Sequence, residues 1–275
     1  MMCPVCEGAG ASVATRGSNT VRQCSTCQMV FAEGPDARSH SEAVVDTDPH
    51  FYNAVAQKFP EQTAAAAEIV PRRLQAYKDL LGRPVKRVIE VGCGTGAYAR
   101  AFLDAGIAYT AFEINDDIAE MARTNSGATI NAANFIDATI DEPADVVFAS
   151  QVFEHVTTPA PFLAKVQRAS TPNGILHVDV PNHAGLVSQV RKRLSKTDYG
   201  FIQPPHHMLA YTPKTLDYVL RENGLRPIQV RQHRNDDPVW GQLIGQASLP
   251  ARLVYVLTDL VGRGSLLTAL AITSS

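Results

Sequence analysis

The sequence predicts an α/β protein, an open Rossmann-like sheet with helices on both faces, preceded by a small cysteine-bearing module. Three observations carry this. Beyond Gly82, short apolar runs alternate with helical stretches, the pattern of a mainly parallel sheet wrapped by helices. The stretch "VIEVGCGTGAYARAF", from Val88 to Phe102, places three glycines between an apolar run and an alanine-rich helix. Four of the five cysteines fall near the N-terminus in two C-x-x-C pairs.

The 275 residues, 45% of them hydrophobic, suffice for one substantial core and one small appendage. A net charge of −2 removes the long-range attraction for phosphate backbones that nucleic-acid binders carry, so free nucleic acid is a poor partner. The N-terminal "MMCPVCEGAG" lacks the pattern of a secretion signal, and no uncharged apolar run reaches eighteen residues. A cytoplasmic protein is expected.

"CPVC" (Cys3, Cys6) and "CSTC" (Cys24, Cys27) are separated by seventeen residues, which is metal-ligand spacing. Two such knuckles bring four thiolates around Zn²⁺, and metal binding supplies the folding energy that so short a segment lacks. Four protein ligands close the site, so its expected role is structural. This module is assigned residues 1–34. Residues 35–60 then read as a linker, ending in "HFYNAVAQKFP", whose Phe51, Tyr52 and Phe59 are expected to pack on the larger domain at 61–275. "EQTAAAAEIVPRRLQAYKDLL" predicts a helix interrupted or restarted at Pro71 and closed by Gly82.

The expected strands are Arg87–Val91, Tyr109–Glu113, Thr129–Asn131, Asp145–Ala149, Gly174–Val180, Pro227–Gln232 and Leu266–Thr273. In such a sheet a ligand binds beyond the carboxyl ends of the strands, at the switch point beside the first one. Gly92, Gly94 and Gly96 lie there; lacking Cβ, they let backbone N–H groups approach a ligand. Gly92, Gly94 and Ala97 also satisfy G-x-G-x-x-G/A, the dinucleotide fingerprint. Glu90, placed to meet a cation, the third glycine, and Glu113, placed to accept two ribose hydroxyls, favour a different cofactor.

From about Val85 to Asn182 the chain resembles the class I S-adenosylmethionine-dependent methyltransferases. The residues that carry the likeness are "VIEVGCGTG", the acidic "FEI", "ADVVFASQVFEHV" and "TPNGILHVDVPN". Their order looks like the small-molecule branch, which includes quinone-pathway O-methyltransferases and members with an N-terminal cysteine ribbon. The resemblance implies a seven-stranded sheet with S-adenosylmethionine held by the loop Gly92, Cys93, Gly94 and Gly96. It places Glu90 near the α-ammonium, and Glu113 and Ile114 at the ribose. Asn134 and Phe135, or Asn131 in place of Asn134, would flank adenine, and Ser150 and Gln151 the methyl-bearing end.

Methyl transfer needs an in-line approach, and a general base only where the acceptor is a hydroxyl or carbon acid. The candidate bases are His155 in "FEHV", His183 in "PNHAG", and His206 and His207 in "PPHHMLAYT", with Tyr52, Tyr199 and Tyr211 as alternatives. Each also has a plain packing reading: His155 and Glu154 fixing a loop, His183 near the cleft mouth, one histidine of "PPHH" holding the entrance of a helix capped by Thr212. Substrate recognition is expected from insertions at about 183–211 and 233–264. The first carries Arg191, Lys192, Arg193 and Lys196, a solvated face or a grip on a phosphate or carboxylate, so anionic and carrier-linked acceptors are candidates. The second, with Arg252 and Asp259 in an apolar stretch, reads as a lid or a homodimer contact.

The expected activity is O- or N-methylation of a small molecule, in secondary-metabolite or sugar and glycan biosynthesis. The rivals are an RNA methyltransferase guided by its ribbon, an enzyme that closes the aminobutyrate chain and releases methylthioadenosine, and a non-catalytic binder of the cofactor.

Overall fold

A computed structural model of the chain describes residues 1–35, 57, 59–194, 199–233, 258 and 262–274. The expectations for Phe51, Tyr52, Lys196, Arg252, Asp259 and most of 233–264 lie outside these residues.

Seven strands form the central sheet in the order β10-β11-β8-β7-β4-β5-β6. They are β4 (Arg87–Val91), β5 (Ala108–Glu113), β6 (Thr129–Ala132), β7 (Ala144–Ser150), β8 (Ser170–Pro181), β10 (Arg226–His233) and β11 (Leu266–Ile272). The first five pair in parallel, while β11 runs antiparallel to both its neighbours. The chain order reverses beside β4, so the connections that leave β4 and β7 at their carboxyl ends turn to opposite faces of the sheet and leave a crevice between them. Asp145 locks the opposite end: its carboxylate accepts from the Lys86 and Arg87 N–H groups at 2.6 and 3.0 Å and from Arg83 Nη1 at 2.5 Å.

Both sheet faces are buried, as near-continuous apolar strands such as Ala144–Ala149 require. On one face Val88, Ala111, Phe148 and Ile175 pack with α1 (Phe59–Leu81) and α2 (Ala97–Asp104). On the other, Ile89, Phe112, Val147 and Val178 meet α4 (Pro159–Ala169) and α6 (Pro213–Glu222). Each large apolar side chain buried this way contributes about 1.5–3 kcal/mol. α3 (Asp116–Ser126) is capped by Asn115, whose Oδ1 accepts the Ile118 N–H at 3.0 Å, and stopped by Gly127 at φ 71°.

Helix α1 departs from expectation. It runs unbroken through Pro71. The lost hydrogen bond is offset by tertiary packing of Ala66, Val70 and Tyr77 on the sheet and by a buried polar anchor. In that anchor Arg73 Nη2 donates to Asp179 Oδ2 at 3.0 Å, His177 Nε2 lies 3.1 Å from Asp179 Oδ1, Tyr77 Oη lies 2.5 Å from His177 Nδ1, and Thr268 also donates to Asp179. Burial acts to raise the Asp179 pKa, but the charges of His177 and Arg73 hold it far below the usual carboxylate range.

The N-terminal residues form β1 (Gly10–Arg16), β2 (Asn19–Cys24) and β3 (Val30–Glu33). A fourth strand joins them from deep in the chain. β9 (Leu209–Ala210) pairs antiparallel with β3, Val30 opposite Ala210 and Phe31 opposite Leu209. Cys3, Cys24, Met29 and Phe31 share a core with Tyr211, Leu209 and the central sheet. The sheet of the cysteine module is thus completed by a strand of the larger domain.

Candidate active site

The glycine loop leaves β4 at the crevice. Gly92 donates its N–H to the Phe112 carbonyl at 2.8 Å and sits at φ 71°, where a Cβ would stand 2.5 Å from Val152 Cγ2. Gly96, at φ 83°, opens α2 against Ala122: a Cβ there would lie 2.9 Å from its carbonyl oxygen. Gly94 differs. At φ 52° it has nothing within 4 Å of where a Cβ would be, so its backbone borders open space. Cys93 is buried, and that burial pushes its thiol well above the usual range.

Glu113, ending β5, hangs over this loop. Its carboxylate accepts from the Gly94 N–H at 3.3 Å and the Asn115 N–H at 3.2 Å. Burial raises its pKa against the pull of those hydrogen bonds. Ile114, half-buried, follows it. Glu90, one strand over, is buried and accepts from the Tyr109 hydroxyl; burial pushes its pKa up to about 8. Both carboxylates therefore sit beside the glycine loop in low dielectric. α1 closes over one side, where Thr95 Oγ1 donates to Gln62 Oε1 at 2.6 Å.

Beyond β7, Ser150 is half-buried and Gln151 adopts φ 58°, with its N–H on the Asp179 carbonyl at 2.8 Å. Gln151 Nε2 is buried without a partner. After β6 the expected residues separate. Asn134 Oδ1 accepts the Ile136 N–H at 3.1 Å, while Asn131 Nδ2 donates to the Ala111 carbonyl at 3.4 Å. Phe135 is 2% exposed, its ring 5.6 Å from both Phe112 and Phe162, so it lies in the core instead of at the cleft surface.

Past Gln151 a short turn at Phe153–His155 carries a second polar group. Glu154 is 1% exposed and neither carboxylate oxygen has a hydrogen-bond partner. His155 Nδ1 lies 2.7 Å from the His206 carbonyl and His207 Nδ1 lies 3.0 Å from the Phe201 carbonyl. The two imidazoles meet edge to face at 4.9 Å, and with Glu154 they bring three donor atoms within 4.8 Å of one another. The exposed His206 uses its backbone here. Tyr211 stacks on Phe153 at 5.1 Å with its buried hydroxyl unpartnered; burial, then the nearby Glu154 charge, raises its pKa well above the usual value.

His183 is buried, not at a cleft mouth: it is 2% exposed, because residues 199–200 fold over it. Neither ring nitrogen has a partner, and burial lowers its pKa to about 3, keeping the imidazole neutral. Ser188 Oγ, also buried and unpartnered, approaches the same turn at Gly200. Of the basic cluster on α5 (Leu186–Leu194), Lys192 lies over the Tyr199 ring at 4.7 Å and Arg191 over Phe201 at 5.8 Å, so both cover aromatic rings. Sequence reasoning missed Glu154 and Ser188 as polar lining. "FEHV" showed Glu154, but no sequence signal told a buried carboxylate from a solvated one.

The four N-terminal thiols also converge. Cys3 Sγ lies 3.6 Å from Cys27 Sγ, Cys6 Sγ lies 3.5 Å from Cys24 Sγ, and all four fall within 4.8 Å of one another. The two knuckles repeat one backbone pattern. Cys3 and Cys24 donate N–H to the carbonyls of Gly8 and Met29, and Glu7 and Gln28, both at positive φ, donate back to Cys3 and Cys24.

A sequence model of the family described as "Methyltransferase domain" matches residues 62–230. The chain belongs to this family. A ubiquinone biosynthesis O-methyltransferase of Hydrogenovibrio crunogenus is 29% identical over 117 residues, 40% of this chain and 48% of that protein. An uncharacterized methyltransferase of Mycobacterium leprae is 32% identical over 100 residues, 34% of this chain and 36% of that protein. The chain thus spans about half or less of the curated relatives it matches. Among solved structures, a plantazolicin methyltransferase in complex with SAH has a TM-score of 0.57 at 14% identity, covering 87% of this chain and 95% of that one. A possible histamine N-methyltransferase of Thermotoga maritima gives 0.54 at 16%, covering 82% and 99%. The expected seven-stranded class I methyltransferase sheet is present. Among the described residues no helix is long and apolar enough to cross a membrane.

Proposed function

We propose that the chain is an S-adenosylmethionine-dependent methyltransferase acting on a small molecule at oxygen or nitrogen, with residues 1–34 as a zinc module, 35–60 as a linker and 61–275 as the catalytic domain. One observation carries it: the Glu113 carboxylate rests on the Gly94 N–H at the one loop glycine that borders open space. An acid at the Glu113 position would suit the ribose of either cofactor, but a dinucleotide pyrophosphate would also meet the buried Glu90, whereas a cationic cofactor suits it.

S-adenosylmethionine, when bound, supplies a methyl group on a sulfonium, activated for in-line attack. In this reading Gly92, Cys93, Gly94 and Gly96 form the floor under it, Glu113 with Ile114 takes the ribose hydroxyls, and Glu90 provides negative charge for the ammonium. Asn134 flanks the adenine side; Ser150 and Gln151 border the acceptor end. There, His155, His183, His207 and Tyr211 are the candidates to border the acceptor, but burial lowers the His183 pKa to about 3, which makes that ring a poor proton acceptor at neutral pH. The curated relatives named as ubiquinone-pathway O-methyltransferases favour oxygen over nitrogen.

Cys3, Cys6, Cys24 and Cys27 are read as a structural Zn²⁺ site. Their Sγ separations match the edges of a tetrahedron of zinc thiolates, about 3.8 Å for Zn–S bonds near 2.3 Å.

Calorimetry with S-adenosylmethionine tests the core claim, and absence of binding overturns it. Incubation with labelled cofactor and a pool of acceptors, read by mass spectrometry, tests the reaction: S-adenosylhomocysteine is expected, and methylthioadenosine in its place would establish the ring-closing alternative.

A further inference from the structure

We infer that His183, Ser188 and Lys192 form a binding site for an oxyanion, a carboxylate or phosphate carried by the acceptor. That the anion belongs to the acceptor rests on the methyltransferase reading; the site itself does not.

Unmet hydrogen-bonding capacity is the first argument. His183 and Ser188 are almost wholly buried, yet neither ring nitrogen of the one nor the hydroxyl of the other has a hydrogen-bond partner. Native interiors rarely leave such groups unpaired. Both face one place: a Cβ on Gly200 would stand 2.3 Å from Ser188 Oγ and 3.0 Å from His183 Nδ1, so the turn at 199–200 lies directly on them. The neutral imidazole has one N–H to give and the serine one O–H.

Charge is the second, independent argument. Lys192 follows Ser188 by four residues on α5, which sets the two side chains on one face of that helix. Its half-buried ammonium lies 4.7 Å from the centre of the Tyr199 ring, and the same ring lies 5.6 Å from the His183 ring. Burial lowers the Lys192 pKa to about 8, and no carboxylate among the described residues offsets that loss. A water molecule would answer the orphaned hydrogen-bonding groups but not the charge. An oxyanion answers both, through charge-assisted bonds from the ammonium, the hydroxyl and the imidazole N–H. A metal cation would be repelled by Lys192.

Placement gives the site its use. His183 follows the carboxyl end of β8, and its N–H donates to the Tyr211 carbonyl at 2.8 Å. β8 neighbours β7, Ser150 opposite Asp179, so the anion site and the methyl-bearing end of the proposed cleft share one end of the sheet. An acceptor tethered there by its anionic group has its nucleophile oriented before the methyl group moves. His183 then serves as an anchor that donates a hydrogen bond, a role that a neutral ring fills and a proton acceptor does not.

The full-length protein, carrying ¹⁵N-labelled histidine, is titrated with inorganic phosphate and, separately, with benzoate. The His183 ring signals, assigned by their loss in His183→Gln, are followed by nuclear magnetic resonance. Saturable shifts of those signals by either anion are expected, with binding weaker by about tenfold or more in Ser188→Ala and in Lys192→Met. The anion that saturates tells which acceptor group the site takes. No shift with either anion, or equal affinity in the folded variants, overturns the site. Should Ser188→Ala fail to fold, Lys192→Met, which keeps an apolar stem over Tyr199, decides. Calorimetry with S-adenosylmethionine on the same samples keeps the two readings separate. Cofactor binding without an anion response sinks only the anion site, whereas an anion response without cofactor binding leaves the site and removes its link to methyl transfer.

Discussion

At the scale of single residues, the two acids beside the glycine loop carry most of the electrostatic argument. Glu113 is expected to take the ribose hydroxyls by charge-assisted hydrogen bonds, so Glu113→Ala should weaken S-adenosylmethionine binding about tenfold or more. An unchanged dissociation constant in calorimetry would remove that assignment. Glu90 makes a sharper claim. With its pKa pushed up to about 8, its carboxyl carries a proton at pH 7. A cationic ammonium arriving beside it lowers that pKa, so binding at pH 7 should release up to one proton, with release fading as pH rises past 8 or falls below about 5. Binding enthalpies measured in buffers of different ionisation heat would report it; no buffer dependence, or none lost in Glu90→Gln, contradicts the pairing. Both acids were legible as chemistry in "VIEVG" and "FEI". Their burial was not, because it depends on Tyr109, on α1 and on the neighbouring strands.

Among the elements, the loop from β4 into α2 has the least freedom. Gly96 combines a left-handed backbone with a virtual Cβ 2.9 Å from the Ala122 carbonyl, and a backbone atom cannot swing aside. Gly96→Ala should therefore cost about 2–3 kcal/mol, from the positive φ and the steric push between α2 and α3. Denaturant unfolding checks this, and a loss below about 0.5 kcal/mol would show that the helices part easily. The seven expected strands are all present, each within a few residues of its expected ends, because short apolar runs between helical stretches state their own boundaries. Two elements were read differently. Pro71 looked like a break, but packing of α1 outweighs the missing hydrogen bond. β9, of two residues, has no periodicity to read and exists because β3 offers it an edge.

For the molecule as a whole, the cysteine module and the acceptor end of the cleft are mechanically joined. The Ala32 N–H donates to the Met208 carbonyl at 3.0 Å, and the Met208 N–H donates to the Glu154 carbonyl at 2.9 Å. A metal bound by the four thiols, as proposed, would by holding β1–β3 indirectly hold the segment bearing His207 and Tyr211. Replacing Cys24 with Ser, or stripping zinc, should lower amide protection in 199–211 while leaving 87–132 protected. Hydrogen exchange with mass spectrometry distinguishes this from a module that merely hangs on the surface, for which 199–211 would not change.

Taken by itself, the sequence determined the fold class, the place of the glycine loop and its acids along the chain, and the four thiols, because each is written in local spacing: short apolar runs, alternate glycines, C-x-x-C pairs. Only the tertiary structure decided which of the polar residues are buried together. Glu154, His155 and His207 come from segments about fifty residues apart, and Phe135 turns to the core with Ala133 and Ile136 packed against it. Spacing constrains neighbours along the chain; desolvation and the meeting of donors are properties of surfaces that packing alone brings into contact.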